Sequence, residues 1–218
     1  PVQLLNDVDA GVFGESQFGA GRGATNVLGV FPGTGIGGGA VLNGQIVSGA
    51  KQTAVEIGHI PVVPNGIRCG CGLKGCLETV ASRLAIAGQV AQAAYRGAAP
   101  YLLEQVGTDI SLIRSGVLAD SVAHGDTEVE AILKRACKYL GQAIGSMVTV
   151  LSPDVVVLGG GLAEAMPDLF TRHTAKSARK YVVPILRDTF EVKVAELGDD
   201  ASVLGAAVWG ARSTQSES

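Results

Sequence analysis

Apolar residues change their period several times along this chain, and each change marks an expected element. Residues 27–31 are apolar throughout, as a buried strand requires, and run straight into a glycine-rich stretch at 33–39. Ala40-Val41-Leu42 and Gln45-Ile46-Val47 then flank Asn43-Gly44, a dipeptide suited to the positive φ of a tight hairpin turn. The period next becomes helical. Residues 77–96 and 128–151 place apolar side chains at i, i+3 and i+4 among Ala, Leu, Gln and Glu, which predicts two long, largely buried helices.

The second half alternates. A strand is expected at 154–158, a tight turn at Gly159, Gly160 and Gly161, a helix from Ala163, a strand at 191–195 and a final helix at 202–211. Antiparallel strands followed by βαβα predict an α/β fold, a mixed sheet with helices on its faces. At the other end, residues 1–5 read as a strand, and Asn6-Asp7 stands where a helix over about 8–17 needs a cap. A chain opening in mid-strand is expected to be preceded by a further N-terminal segment, and the polar tail at 213–218 is expected to fray. The chain carries no internal repeat.

Composition narrows the function classes. Of 218 residues, 47% are hydrophobic and 17% charged, and 17 Lys+Arg against 20 Asp+Glu give a net charge of −3. There is neither a run of ~18 apolar residues nor a basic segment leading into an apolar core, so neither membrane insertion nor secretion is expected, and a cytoplasmic location is. The absence of a Lys/Arg block removes the electrostatic reason to bind nucleic acid. The 31 Gly are about twice the average usage of ~7% and cluster beside apolar runs. Such clusters mark backbone that turns tightly or approaches something closely.

Three of the four Cys lie together, Cys69, Cys71 and Cys76, with His59 ten positions before the first. A Cys-x-Cys-x4-Cys cluster with an upstream His supplies the four ligands a tetrahedral Zn²⁺ prefers, and the interleaved glycines let the thiolates converge. A disulfide framework is the alternative, which an odd trio of Cys suits poorly. Cys137, alone among apolar helix positions, reads as a small core residue. His124, His173 and the cations at 176–180 read as solvated, and Asp199-Asp200 as a helix cap.

Four ordered motifs carry a family resemblance: Asn6-Asp7, Gly33-Thr34-Gly35-Ile36-Gly37-Gly38-Gly39, Glu56-Ile57-Gly58-His59 and Gly75-Cys76-Leu77-Glu78. Together they resemble the ROK family of sugar kinases and related repressors, and the turn at Gly159, Gly160 and Gly161 resembles that family's adenosine motif. The resemblance implies an actin/hexokinase-like (ribonuclease H-like) fold of two lobes. Residues 1–23 would end the small lobe, 24–200 would form the large lobe with the sugar, zinc and nucleotide motifs, and 201–218 would form a C-terminal helix and tail. The family normally opens with an Asp-x-Gly-Gly-Thr phosphate loop about a hundred residues before Asn-Asp, and these residues contain no counterpart. These 218 residues alone are accordingly expected to show little turnover.

By the same resemblance the activity is ATP-dependent phosphorylation of a hexose, at the 6-hydroxyl of glucose, with Mg²⁺ accompanying ATP, a structural Zn²⁺ and a homodimeric assembly. Asp7 would be the general base that accepts the hydroxyl proton, and Asn6 would orient a neighbouring hydroxyl; read without the family, Asp7 is a helix N-cap. Gly33, Thr34, Gly35 and Gly37 would face the terminal phosphates, although the stretch lacks a Walker ending and reads equally as a hairpin turn. Gly159, Gly160 and Gly161 would face the nucleoside. Glu56, His59 and Glu78 would bind sugar hydroxyls. If zinc takes one nitrogen of His59, the other carries the proton and becomes a fixed donor. Two alternatives stay open: a sugar-responsive repressor of the same family, and a catalytically silent sugar-binding protein.

Overall fold

The computed structural model describes residues 4–215. Strands β1 (Asn26–Pro32), β2 (Ile36–Leu42), β3 (Gln45–Ile46), β4 (Val155–Leu158) and β5 (Glu191–Val194) form one sheet in the order β3-β2-β1-β4-β5 among the described residues. β1 pairs antiparallel with β2, from Asn26↔Leu42 to Pro32↔Ile36, and β2 antiparallel with β3. β4 lies parallel to β1 and β5 parallel to β4, so the mixed sheet expected from the alternation is present.

The two-residue period of the strands decides the layers. Leu28, Val30, Val156 and Leu158 point into the larger core, with Ile132, Leu140, Ile144 and Phe170. Val27, Val41, Val155 and Val157 point the other way, onto Val12 and Phe13, with Trp209 packed against them. Helix α1 (Asp7–Phe18) and the last helix thus cover one face of the sheet, and the central helices cover the other.

Those central helices are α2 (Glu78–Ala81), α3 (Arg83–Tyr95), α4 (Pro100–Val106), α5 (Ser115–Ala123), α6 (Thr127–Leu151), α7 (Gly161–Ala165) and α8 (Pro167–Ala178), and the last is α9 (Ala201–Gln215). α6 matches its periodicity to within a residue at its start and ends as expected. The single helix expected over 77–96 is two: Ser82 adopts an extended ψ of 157° and its hydroxyl accepts from Ala85 N at 3.2 Å, capping α3 and ending α2. The helix expected from Ala163 is also broken, at Met166 (φ −139°), because Pro167 starts α8 and has no N–H to continue α7.

α4 and α5 fall where the pattern suggested no element. They are tied by Asp126, whose carboxylate accepts from Tyr101 N (3.2 Å), Leu102 N (2.9 Å) and Ser121 Oγ (2.7 Å). At the chain ends, Leu4 and Leu5 lie in no strand, and residues 1–3 of the expected strand are outside the described residues. α9 reaches Gln215, past its expected end at 211, while residues 216–218 are outside the described residues. No described helix is long and apolar enough to cross a membrane.

Candidate functional site

The glycine-rich stretch divides into a turn and a strand. Only Gly33, Thr34 and Gly35 form the loop of the β1–β2 hairpin, closed by Gly33 N donating to Gly35 O at 2.9 Å, while Gly37, Gly38 and Gly39 lie in β2. The hairpin-turn reading therefore holds for Gly33–Gly35, and the remaining glycines belong to the strand. The strand glycines permit close packing: a Cβ on Gly37 would stand 2.8 Å from a Val8 methyl, one on Gly38 2.8 Å from Val55 O, and one on Gly39 2.9 Å from Asp9 Oδ1. The first turn of α1 and the segment Glu56-Ile57-Gly58-His59 are thereby seated on β2.

At the start of α1, Asn6 is the N-cap, its Oδ1 accepting from Val8 N (2.9 Å) and Asp9 N (3.3 Å). Asp7 occupies the first helical position, where a carboxylate suits the helix dipole, and it is exposed. It lines a cavity of about 280 Å³ together with Val8, Gly160, Gly161, Glu164 and Asp199. Gly160 requires its glycine: φ is +81°, and a Cβ would lie 3.0 Å from Pro32 O and 3.9 Å from Gly33 N. The hairpin turn, the Gly159–Gly161 turn and Asp7 consequently border one region.

The Cys-rich loop approaches the same hairpin through Glu78. One Glu78 oxygen accepts from Ile36 N at 3.1 Å, and the other lies 3.9 Å from Cys69 Sγ. Among the described residues no hydrogen bond joins Asp7 to Glu56, His59 or Glu78. Asp7 and Glu56 instead meet electrostatically at Asp9, a residue that sequence reasoning passed over. Burial raises the Asp9 carboxyl above its usual range, and the charges of Glu56 and then Asp7 raise it further. Asp9 is 5% exposed and its Oδ1 has no hydrogen-bond partner.

The donor atoms of His59, Cys69, Cys71 and Cys76 all lie within 4.8 Å of one another. Cys69 Sγ is 3.6 Å from His59 Nδ1, and Cys71 Sγ is 3.6 Å from Cys76 Sγ. Tetrahedral ligands at the usual zinc distances would be ~3.6 Å apart for S···N and ~3.8 Å for S···S. The set therefore fits a structural Zn²⁺ in chemistry and spacing, and all four Cys in the chain are free of disulfides. Burial and the neighbouring thiols push Cys76 up to about 12, while the Leu73 backbone N–H pulls Cys71 down. Cys137 is fully buried in α6, as its apolar setting implied.

Two further residues escaped the sequence because their partners are remote. Arg83, the first residue of α3, donates from Nη2 to Thr34 Oγ1 at 2.8 Å, and its backbone N donates to Gly33 O at 2.8 Å. Glu15, fully buried in α1, accepts from Ala20 N (2.8 Å), Glu196 N (3.0 and 3.2 Å) and Leu197 N (2.8 Å), tying α1 to the segment after β5.

Comparison with known proteins places this arrangement. The ROK family model matches residues 1–213. A glucokinase of Thermotoga maritima is 36% identical over 206 residues, 94% of this chain and 64% of its own length. The structure of a ROK family glucokinase from Streptomyces griseus in complex with glucose and AMPPNP is 31% identical with a TM-score of 0.86, covering 96% of this chain and 68% of that one. A ROK family transcriptional regulator, a homologue of the E. coli MLC protein, is 29% identical with a TM-score of 0.85, covering 95% of this chain and 51% of that one. The chain thus spans a little under two thirds of the length of the glucokinase it matches.

Proposed function

The chain belongs to the ROK family, and we propose that the protein containing it transfers the γ-phosphoryl group of ATP to a hexose, at the 6-hydroxyl of glucose. The observation that carries this reading is the placement of Asp7: an exposed carboxylate at the head of α1, opening into the cavity that Gly160 and Gly161 also line, beside the Gly33–Thr34–Gly35 turn. As the sugar oxygen attacks the γ-phosphorus, Asp7 accepts its proton and ADP leaves with the electron pair of the broken P–O bond. ATP enters as its Mg²⁺ complex, the cation neutralising phosphate charge.

In this reading the Thr34 and Gly35 backbone N–H groups and the Thr34 hydroxyl bind the terminal phosphates, Gly33 N–H being used to close the turn on Gly35 O, and Gly159, Gly160 and Gly161 take the nucleoside side. Asn6, Glu56, His59 and Glu78 take the sugar hydroxyls. His59, Cys69, Cys71 and Cys76 would hold Zn²⁺, which would supply a rigid anchor for the loop. His59 Nδ1 faces Cys69; with Zn²⁺ on Nδ1 the ring proton would sit on Nε2, and His59 would serve as a donor to the sugar.

The likeness to a ROK transcriptional regulator supports a second reading, a sugar-responsive repressor. One assay separates the two. The full-length protein is tested for phosphorylation of glucose and related hexoses, with Asp7→Asn alongside. Asp7→Asn is expected to lower kcat by ~10² or more while sugar affinity stays within a few-fold. Sugar binding without turnover in the wild type removes the kinase reading and leaves the repressor and the catalytically silent sugar-binding protein. Unchanged turnover in Asp7→Asn removes Asp7 as the base.

A further inference from the structure

We propose that Arg83 contacts the terminal phosphates of the phosphoryl donor directly, an inference that deepens the kinase reading and rests on it for the site. Arg83 carries five N–H donors in a planar fork, and its side chain hydrogen-bonds to one hydroxyl, Thr34 Oγ1. No carboxylate lies within ion-pairing distance of it among the described residues. Glu78 reaches the same hairpin but is engaged with Ile36 N and the Cys69 thiol. A part-exposed guanidinium therefore stands beside the turn without an ion pair, the Glu78 carboxylate on the far side of the turn being held by Ile36 N.

Its position makes the lack of a partner informative. Arg83 is the first residue of a 13-residue helix, where the dipole favours anions and disfavours cations, and the first turn of α3 contains no acidic residue to offset it. An anion arriving at the turn would be favoured by the guanidinium; at the helix end the N–H groups of Arg83 and Ala85 are already taken by Gly33 O and the Ser82 hydroxyl. The turn it guards is the one whose Gly33 adjoins Gly160 at the border of the Asp7 cavity. A fork already fixed at its root by Arg83 N to Gly33 O, and at its tip by Thr34, is preorganised for bidentate contact with a phosphate. During transfer the charge on the equatorial oxygens of the γ-phosphoryl group is what such a cation stabilises.

The test uses the full-length protein with Arg83→Gln and Arg83→Lys. Two readouts are taken: steady-state kinetics with ATP and a hexose, and calorimetric binding of inorganic tripolyphosphate and of adenosine, which needs no turnover. Arg83→Gln is expected to lower kcat/KM for ATP by ~10²-fold and to weaken tripolyphosphate binding at least ~10-fold. Adenosine affinity, hexose affinity and the urea midpoint should be unchanged. Arg83→Lys should recover part of the loss, because it restores the charge without the fork. Unchanged tripolyphosphate binding in Arg83→Gln overturns the proposal, as does a loss matched by weaker hexose binding or lower stability, which would make Arg83 a pin for the turn. A wild type that binds tripolyphosphate and hexose without turnover would refute the kinase reading while leaving the phosphate contact decided by the binding data.

Discussion

Glu15 offers a quantitative check on how α1 is held. Its carboxylate is fully buried and accepts from three backbone N–H groups, those of Ala20, Glu196 and Leu197, through four distances between 2.8 and 3.2 Å. Hydrogen bonds to a charged group contribute ~1.5–3 kcal/mol each, and a buried donor left without an acceptor costs ~1–3 kcal/mol. In Glu15→Gln the amide oxygen can keep the Leu197 and Glu196 contacts, but its NH₂ then faces Ala20 N, donor against donor. One charge-assisted bond is lost and one donor is orphaned, a total of ~3 kcal/mol. Glu15→Ala orphans all three donors and should cost more, by ~1–3 kcal/mol for each further donor that water does not reach.

Urea unfolding at 25 °C, in a protein carrying the whole chain, converts this to a shift. With an m-value of ~2 kcal/mol/M, the Glu15→Gln midpoint should fall by ~1.5 M with m unchanged. A fall below ~0.3 M would refute the reasoning, because it would mean that the three N–H groups find water or other acceptors as readily as they find Glu15.

The legibility of the sequence tracks the range over which each feature is decided. The apolar runs of β1 and β4 and the periodicity of α6 are local, and their elements appear where the pattern put them. The Cys cluster is local too, since its three thiols fall within eight residues and the glycines between them allow convergence. Ser82 is different. Nothing in the apolar period distinguishes a Ser inside a helix from one that turns extended to cap the next, so two helices read as one. The glycine stretch showed that something approaches the backbone closely, but not that Val8, Ile57 and Asp9 are what approach β2. Asn6 and Asp7 are equally good caps by type, and Val8 N lies 2.9 Å from both side chains; the bond from Asp9 N and the extended ψ of 142° assign the cap to Asn6. Arg83 meets a hydroxyl 49 residues away, and Glu15 meets amides 181 and 182 residues away. No windowed pattern reports such partners.

Elemental analysis of protein purified without added metal should find about one Zn per chain, and Cys76→Ser should remove most of it, since structural sites use all four ligands; a content near zero refutes the assignment. Asp9→Asn addresses the buried carboxyl beneath the site. Because burial, Glu56 and Asp7 raise its pKa in the folded state, the folded chain holds this proton at a pH where the unfolded chain has released it. The wild type therefore loses stability as pH rises from the usual carboxylate range to the raised value, and stays at the lower level above it. Asn has nearly the same shape and cannot ionise, so it escapes that loss. Relative to wild type, Asp9→Asn should gain stability progressively as pH rises above the usual carboxylate range, read as urea midpoints that diverge with rising pH. Parallel midpoint curves for the two proteins would show that Asp9 titrates alike in the folded and unfolded chains, and the electrostatic link it makes between Asp7 and Glu56 would fall with that result.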